Sequence, residues 1–168
     1  MTQIKLDGNS VNTVGTLPEK GNKAPDFTLV NGELERVGLA NFKSKKIVMN
    51  IFPSLDTPTC ATSVRKFNEM AGKMDNTKVL CISKDLPFAQ NRFCGAQGLD
   101  NVITLSDYET GEFGKKYGVE MVDGPLKNLL SRAVVILDSE GKVIYTEQVQ
   151  YIVDEPDYQK ALDALGVS

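Results

Sequence analysis

The 168-residue chain contains no histidine, and that absence removes whole classes of chemistry. No Cys-His or Ser-His nucleophile pair can form, and no metal can be held through imidazole. An activated side chain here must rely on cations and dipoles. Cysteine is scarce: Cys60, Cys81 and Cys94 are odd in number and far apart, which fits neither a zinc site nor a secreted disulfide framework. The C-x-x-C pair expected of a dithiol oxidoreductase does not occur. Strong charge is missing too. A net charge of -3 and a pI near 5.1 argue against nucleic acid or an anionic membrane as partner, and the longest basic cluster, KSKK at 43 to 46, reads as a solvated turn. The opening MTQIKLDGNS lacks an apolar core of signal-peptide length and no later run approaches a membrane span, so the expected location is the cytoplasm.

What is present fits one domain over residues 1 to 168: 41% hydrophobic and 24% charged residues allow a substantial core. Residues 3 to 14 predict a small hairpin around Asp7-Gly8, with 1 to 20 read as an N-terminal hairpin extension and GTLPEKGNKAP as a turn-rich connector. A strand is expected at 27 to 30. Then the pattern alternates: strand 47 to 52, helix about 58 to 74, strand 78 to 83, helix about 87 to 94, strand 102 to 105, helix about 109 to 117. Such alternation implies βαβ units. Segments 132 to 137 and 143 to 149, joined by Asp138-Ser139-Glu140-Gly141, predict an antiparallel hairpin, and 157 to 165 a closing helix. The expected fold is α/β, a mixed central sheet flanked by helices with an N-terminal β-hairpin.

The segment PSLDTPTC, 53 to 60, sets a cysteine at a strand-to-helix turn. Beyond it Val64, Phe67, Met70, Ala71 and Met74 recur at helical spacing between charged and polar residues. Thr57 is the predicted N-cap and Pro58 the first helical residue. Cys60 then falls in the first turn, where free backbone N–H groups and the helix dipole favour a thiolate. Position alone leaves two readings, a nucleophile or a small apolar residue packed at a helix start. Cys81, inside the apolar run KVLCIS, reads as core. DLPFAQNRFCG predicts a short helix capped by Asp85 and ended by Gly95, with Cys94 in its last turn. Short helices fray, so Cys94 is either a mobile redox partner or another buried thiol; a bridge needs Cα atoms within about 7 Å. Taken alone, Arg132 reads as a surface arginine opening a strand.

The pattern P-x-x-x-T-x-x-C, here Pro53, Thr57 and Cys60, is similar to the active-site signature of peroxiredoxins. NIFPSLDT, SVRKFN, VLCISKDLPFAQNRFCGAQGLDNVITLSD, YGV and DGPLKNLLSRAVVILD resemble the bacterial thiol peroxidase subfamily, of the atypical 2-Cys type, over nearly the whole chain. That resemblance implies a thioredoxin-like fold, no cofactor or metal, and reduction of hydrogen peroxide and alkyl (lipid) hydroperoxides to water and alcohols. It further implies Cys60 as the peroxidatic cysteine that becomes a sulfenic acid, Cys94 as the resolving cysteine of the same chain, and a Cys60–Cys94 redox disulfide. Arg132 would be the active-site arginine, Thr57 would hydrogen-bond the thiolate and the peroxide, and Pro53 would shield the sulfur from water. Cys81 matches a position not required for turnover. Thioredoxin as reductant, a homodimer, and a role in antioxidant defence and redox homeostasis complete the implied picture.

Rival readings fare worse on the same residues. A phosphatase loop needs C-x5-R, whereas CATSVR has four intervening residues and no glycine-rich loop. A thioredoxin-fold binding module or holdase offers no reason for Pro53, Thr57 and Cys60 to coexist.

Overall fold

The computed structural model describes residues 1–166. Strands β1 (Gln3–Leu6) and β2 (Asn9–Asn12) pair antiparallel as a two-stranded sheet of their own. Asp7 and Gly8 turn the chain with φ of 50° and 81°, the two positive values that a tight two-residue hairpin loop requires. The remaining strands are β3 (Leu29–Val30), β4 (Arg36–Val37), β5 (Lys46–Ile51), β6 (Thr77–Ser83), β7 (Ile103–Ser106), β8 (Ala133–Leu137) and β9 (Val143–Gln148). They form one seven-stranded sheet in the order β4-β3-β7-β6-β5-β8-β9. β5, β6 and β7 run parallel, while β3, β8 and β9 join antiparallel. Helix α1 (Pro58–Ala71) carries the crossover from β5 to β6, and α2 (Pro87–Gln97) that from β6 to β7; α3 (Glu112–Lys116) and α4 (Tyr158–Ala164) follow.

The period of two along each strand divides the core between the faces of the sheet. Ile47, Met49 and Ile51 of β5 pack with Phe27, Leu80, Phe113 and Tyr117 on one face. Val48 and the following Phe52 pack on the other with Val64 and Phe67 of α1. The register that places the site is antiparallel: Ile51 of β5 lies opposite Ala133 of β8. Arg132, one residue before β8, therefore starts beside the end of β5, where the chain turns towards α1.

The mixed sheet, its flanking helices and the N-terminal hairpin agree with the sequence expectation, and three local readings are corrected. Helix α2 runs past Gly95 to Gln97 and ends at Gly98, φ 64°, where Leu99 N–H donates to the Cys94 carbonyl at 3.0 Å and Gly98 N–H to the Gly95 carbonyl at 3.4 Å. These are the two bonds of a Schellman cap, and they need the left-handed residue that Gly98 supplies. The N-cap of α2 is Leu86, with no side-chain cap, so Asp85 does not fill that role. The helix expected at 109 to 117 shortens to Glu112–Lys116, because Gly111 enters it at φ 69°. The strand expected at 27 to 30 shortens to β3, Leu29–Val30, while β4 and a 3-10 helix, Leu39–Phe42, had no sequence signal; elements of two to four residues are too short for a period to register. Among the described residues no helix is long and apolar enough to cross a membrane.

Candidate active site

Cys60 is the third residue of α1 and is fully buried. Pro58 has no amide proton, and Ala61 N–H already bonds to the Thr57 carbonyl at 3.0 Å. The amides of Thr59 and Cys60 remain the orphan donors that every helix start leaves. Thr57 occupies the N-cap with an extended backbone but makes no side-chain cap. Its Oγ1 donates instead to the Ser54 carbonyl at 2.9 Å, closing the turn 54–57.

Arg132 is not at the surface; it is 2% exposed and among the largest buried side chains. Its Nη2 donates to Cys60 Sγ at 3.2 Å, and its Nε donates to the Ile152 carbonyl at 2.7 Å. The remaining terminal nitrogen, Nη1, is buried with no hydrogen-bond partner among the described residues. The Ile152 carbonyl is held in turn by the N-terminal hairpin, since Lys5 N–H donates to the Gln150 carbonyl at 2.8 Å and Ile152 N–H to the Lys5 carbonyl at 3.0 Å. Thr59 Oγ1 donates to the Val153 carbonyl at 2.9 Å, so the same loop also ties down the first turn of α1.

Beside these groups lies a cavity of about 150 Å³ lined by Pro53, Thr57, Pro58, Thr59 and Arg132, with Leu6, Leu126, Ile152 and Val153. Its wall is apolar and its few polar groups come from Thr57, Thr59 and Arg132. Such a pocket accepts a small molecule with one polar end and an alkyl remainder. A cavity of about 500 Å³ at the opposite end of β5, edged by Lys23, Lys43, Asp138 and Glu140, holds none of these residues.

Four of the five sequence-expected site residues, Pro53, Thr57, Cys60 and Arg132, thus come together. Cys94 does not join them: it is a free thiol in the last turn of α2, packed partly buried against the cluster that contains Cys60. Burial, with a smaller contribution from Asp100, pushes the Cys94 thiol up from its ordinary range. Cys81 is a core residue on β6, and burial pushes it up to about 12. Asn50 Nδ2 reaches Cys81 Sγ at 3.8 Å and Ser63 Oγ at 3.2 Å, and Ser63 Oγ donates to the Cys60 carbonyl at 2.8 Å. Sequence reasoning missed Leu6, Leu126, Ile152 and Val153. Two act through backbone carbonyls, which every residue carries, so no residue type could have marked them.

Comparison with known proteins places this geometry among relatives. The redoxin family matches residues 19–162. Thiol peroxidases of Mycobacterium bovis and Mycobacterium tuberculosis are each 53% identical over 166 residues, covering 99% of both chains. A crystal structure of a peroxiredoxin-like protein from Aquifex aeolicus superposes with a TM-score of 0.93 at 38% identity, covering 99% of this chain and 96% of that one. A thiol peroxidase from Chromobacterium violaceum has a TM-score of 0.91 at 23% identity, over 98% and 95% of the two chains, a likeness of fold. The architecture is that of peroxiredoxin-like thioredoxin folds.

Proposed function

The chain belongs to the thiol peroxidase branch of the peroxiredoxins, within the redoxin family, and from that premise we propose that Cys60 is its peroxidatic cysteine and Cys94 its resolving cysteine. The observation that carries this reading is the guanidinium of Arg132 donating to Cys60 Sγ at 3.2 Å, beside a cavity that Pro53 and Thr57 also line.

The Cys60 thiolate attacks the terminal oxygen of a hydroperoxide, the O–O bond breaks, and the departing alkoxide or hydroxide takes a proton to leave as alcohol or water. Cys60 becomes a sulfenic acid. Cys94 sulfur then attacks it, forming the S–S bond and releasing water. An external dithiol, of the thioredoxin type, supplies the two electrons that reopen the bridge by thiol-disulfide exchange. An ordinary thiol of pKa about 8.5 is only a few per cent ionised at pH 7, so full ionisation gains at most about thirtyfold. The larger share must come from donors that bind the peroxide and the charge developing on its leaving oxygen. Arg132 Nη1, buried without a protein partner, is the donor that remains free for that oxygen, with the amides of the first helical turn beside it. The apolar wall of Leu6, Leu126, Ile152 and Val153 favours alkyl and lipid hydroperoxides alongside hydrogen peroxide.

One equivalent of hydroperoxide tests the pair directly. Two thiols are expected to disappear, with a single peptide cross-linking Cys60 to Cys94. Steady turnover with thioredoxin and its reductase is expected to follow. Loss of thiols spread over all three cysteines, or a bridge involving Cys81, would contradict the assignment. A homodimer in the cytoplasm, acting in antioxidant defence, accords with the same reading, and sedimentation checks the dimer.

A further inference from the structure

The two steps proposed above make opposite demands on one piece of chain. Reaction with peroxide needs the turn 54–57 and the start of α1 held rigidly around the sulfur. Disulfide formation needs Cys60 and Cys94, carried on separate helices, to come together, and both are free thiols in this structure. Asp85 is bonded to both sides of that conflict. Its Oδ1 accepts a hydrogen bond from Ser54 Oγ at 2.7 Å, and its Oδ2 accepts from Leu55 N–H at 2.8 Å and from Ser83 Oγ at 2.7 Å. Ser54 is the residue whose carbonyl takes the Thr57 hydroxyl. Asp85 itself immediately precedes Leu86, the N-cap of the helix that carries Cys94, and its own carbonyl accepts from Ser106 Oγ. One carboxylate thus receives donors from the turn before Cys60 while rooted at the base of α2. Hydrogen bonds to an ionised acceptor are the stronger kind, so this contact favours the docked arrangement of the two segments.

We propose that Asp85 is a positioning residue that latches the Cys60 turn to the root of the Cys94 helix, and thereby sets how the Cys60 sulfenic acid divides between disulfide formation and over-oxidation. The proposal rests on the reading of Cys60 and Cys94 as the redox pair. In the first branch Cys94 sulfur displaces water and the S–S bond forms. In the second the sulfenic sulfur attacks another hydroperoxide, whose O–O bond breaks; one oxygen joins sulfur to give the sulfinic acid and the other leaves in the alcohol. A tight latch speeds every peroxide step and delays the meeting of the two sulfurs. A weakened latch does the reverse.

Asp85→Asn keeps the volume of the side chain but removes its charge and one acceptor oxygen: with the amide nitrogen in place of Oδ1, Leu55 N–H and Ser83 Oγ keep a neutral acceptor, while the Ser54 hydroxyl loses the oxygen it donates to. Rapid-quench mass spectrometry of the full chain then reads sulfenic acid, disulfide and sulfinic acid against time. The expected result is peroxide reaction slowed about tenfold, the loss of roughly one charged hydrogen bond, with disulfide formation accelerated and the sulfinic fraction under excess peroxide reduced. Val143→Ala, a core truncation at the far end of β9, is the control: it lowers stability and is expected to leave the sulfinic-to-disulfide ratio unchanged. A folded Asp85→Asn variant with the wild-type ratio or a higher one overturns the proposal, as does a Val143→Ala variant that moves the ratio equally. Should Asp85→Asn not fold, Ser54→Ala decides by the same ratio, shifted in the same direction by less. A wild-type chain that forms no Cys60–Cys94 peptide would be a different failure, removing the redox pair and this proposal with it.

Discussion

Arg132 places one terminal nitrogen 3.2 Å from Cys60 Sγ while the other terminal nitrogen of the same guanidinium is buried with no hydrogen-bond partner among the described residues. A buried donor left unpaired costs about 1–3 kcal/mol. A ligand oxygen that accepts from it recovers that cost, and recovers more as the oxygen gains charge. Arg132→Met is therefore expected to slow peroxide reaction by orders of magnitude even in solution alkaline enough to ionise an ordinary thiol fully. Rapid-quench rates from neutral to alkaline pH check this; complete rescue at high pH would reduce Arg132 to an effect on ionisation alone.

Thr57→Val keeps the branched shape at the N-cap but deletes the hydroxyl that bonds to the Ser54 carbonyl. That carbonyl still accepts from Thr57 N–H at 3.2 Å, so the stability loss is expected to stay near 1 kcal/mol. Peroxide reaction should fall by about tenfold to a hundredfold, because Thr57 lines the cavity together with Arg132 and closes the turn that leads to Cys60. Thr57→Ser is expected to recover most of the rate. Equal rates for the valine and wild-type proteins would assign the hydroxyl to turn closure only.

Cys94→Ser should leave the first oxidation unchanged and stop at a persistent sulfenic acid, read as one thiol lost instead of two. In the wild-type chain the pH dependence of the second step reports where attack begins. Burial holds the Cys94 thiol above its ordinary range in the folded helix, so attack from there would keep accelerating with pH beyond the usual thiol value of about 8.5. We expect the rate to level off near that value, since attack follows the opening of α2 and the opened cysteine is solvated. Continued acceleration through more alkaline solution would place attack in the folded helix.

Cys81 is buried on both counts that matter, packing and ionisation: its side chain is fully enclosed and burial raises it to about 12. Cys81→Ala is expected to leave turnover within about twofold and to cost about 1–2 kcal/mol of stability for the lost buried atom, measured by denaturant unfolding. A large drop in turnover without a matching loss of stability would give the Asn50, Ser63 and Cys60 hydrogen-bond chain a role in catalysis.

Local chemistry was legible wherever it repeats along the chain. The apolar run of β5, the Thr57-Pro58 start of α1 and the spacing of Val64 and Phe67 all mark their elements, and the parallel pairing followed from strands alternating with helices. Caps were less legible. Gly95 and Gly98 both stand near the end of α2, and only the folded backbone distinguishes the one at φ 64°. Asp85 looked like an N-cap because aspartate often is one; in the fold its carboxylate turns instead to Ser54 and Leu55, about thirty residues away in sequence.

The sequence by itself determined that any reactive group must work without histidine, that Cys60 stands at a helix start, and that Cys81 belongs to a buried strand. These follow from composition and from chain connectivity, which force neighbours in sequence to remain neighbours in space. Tertiary structure alone decided that Arg132 meets a sulfur 72 residues away, that one of its nitrogens stays free, and that Asp85 joins two loops. Those contacts depend on the antiparallel register of β5 with β8 and on backbone carbonyls such as that of Ile152. A carbonyl is the same in every residue, so only its position in the folded chain gives it a role.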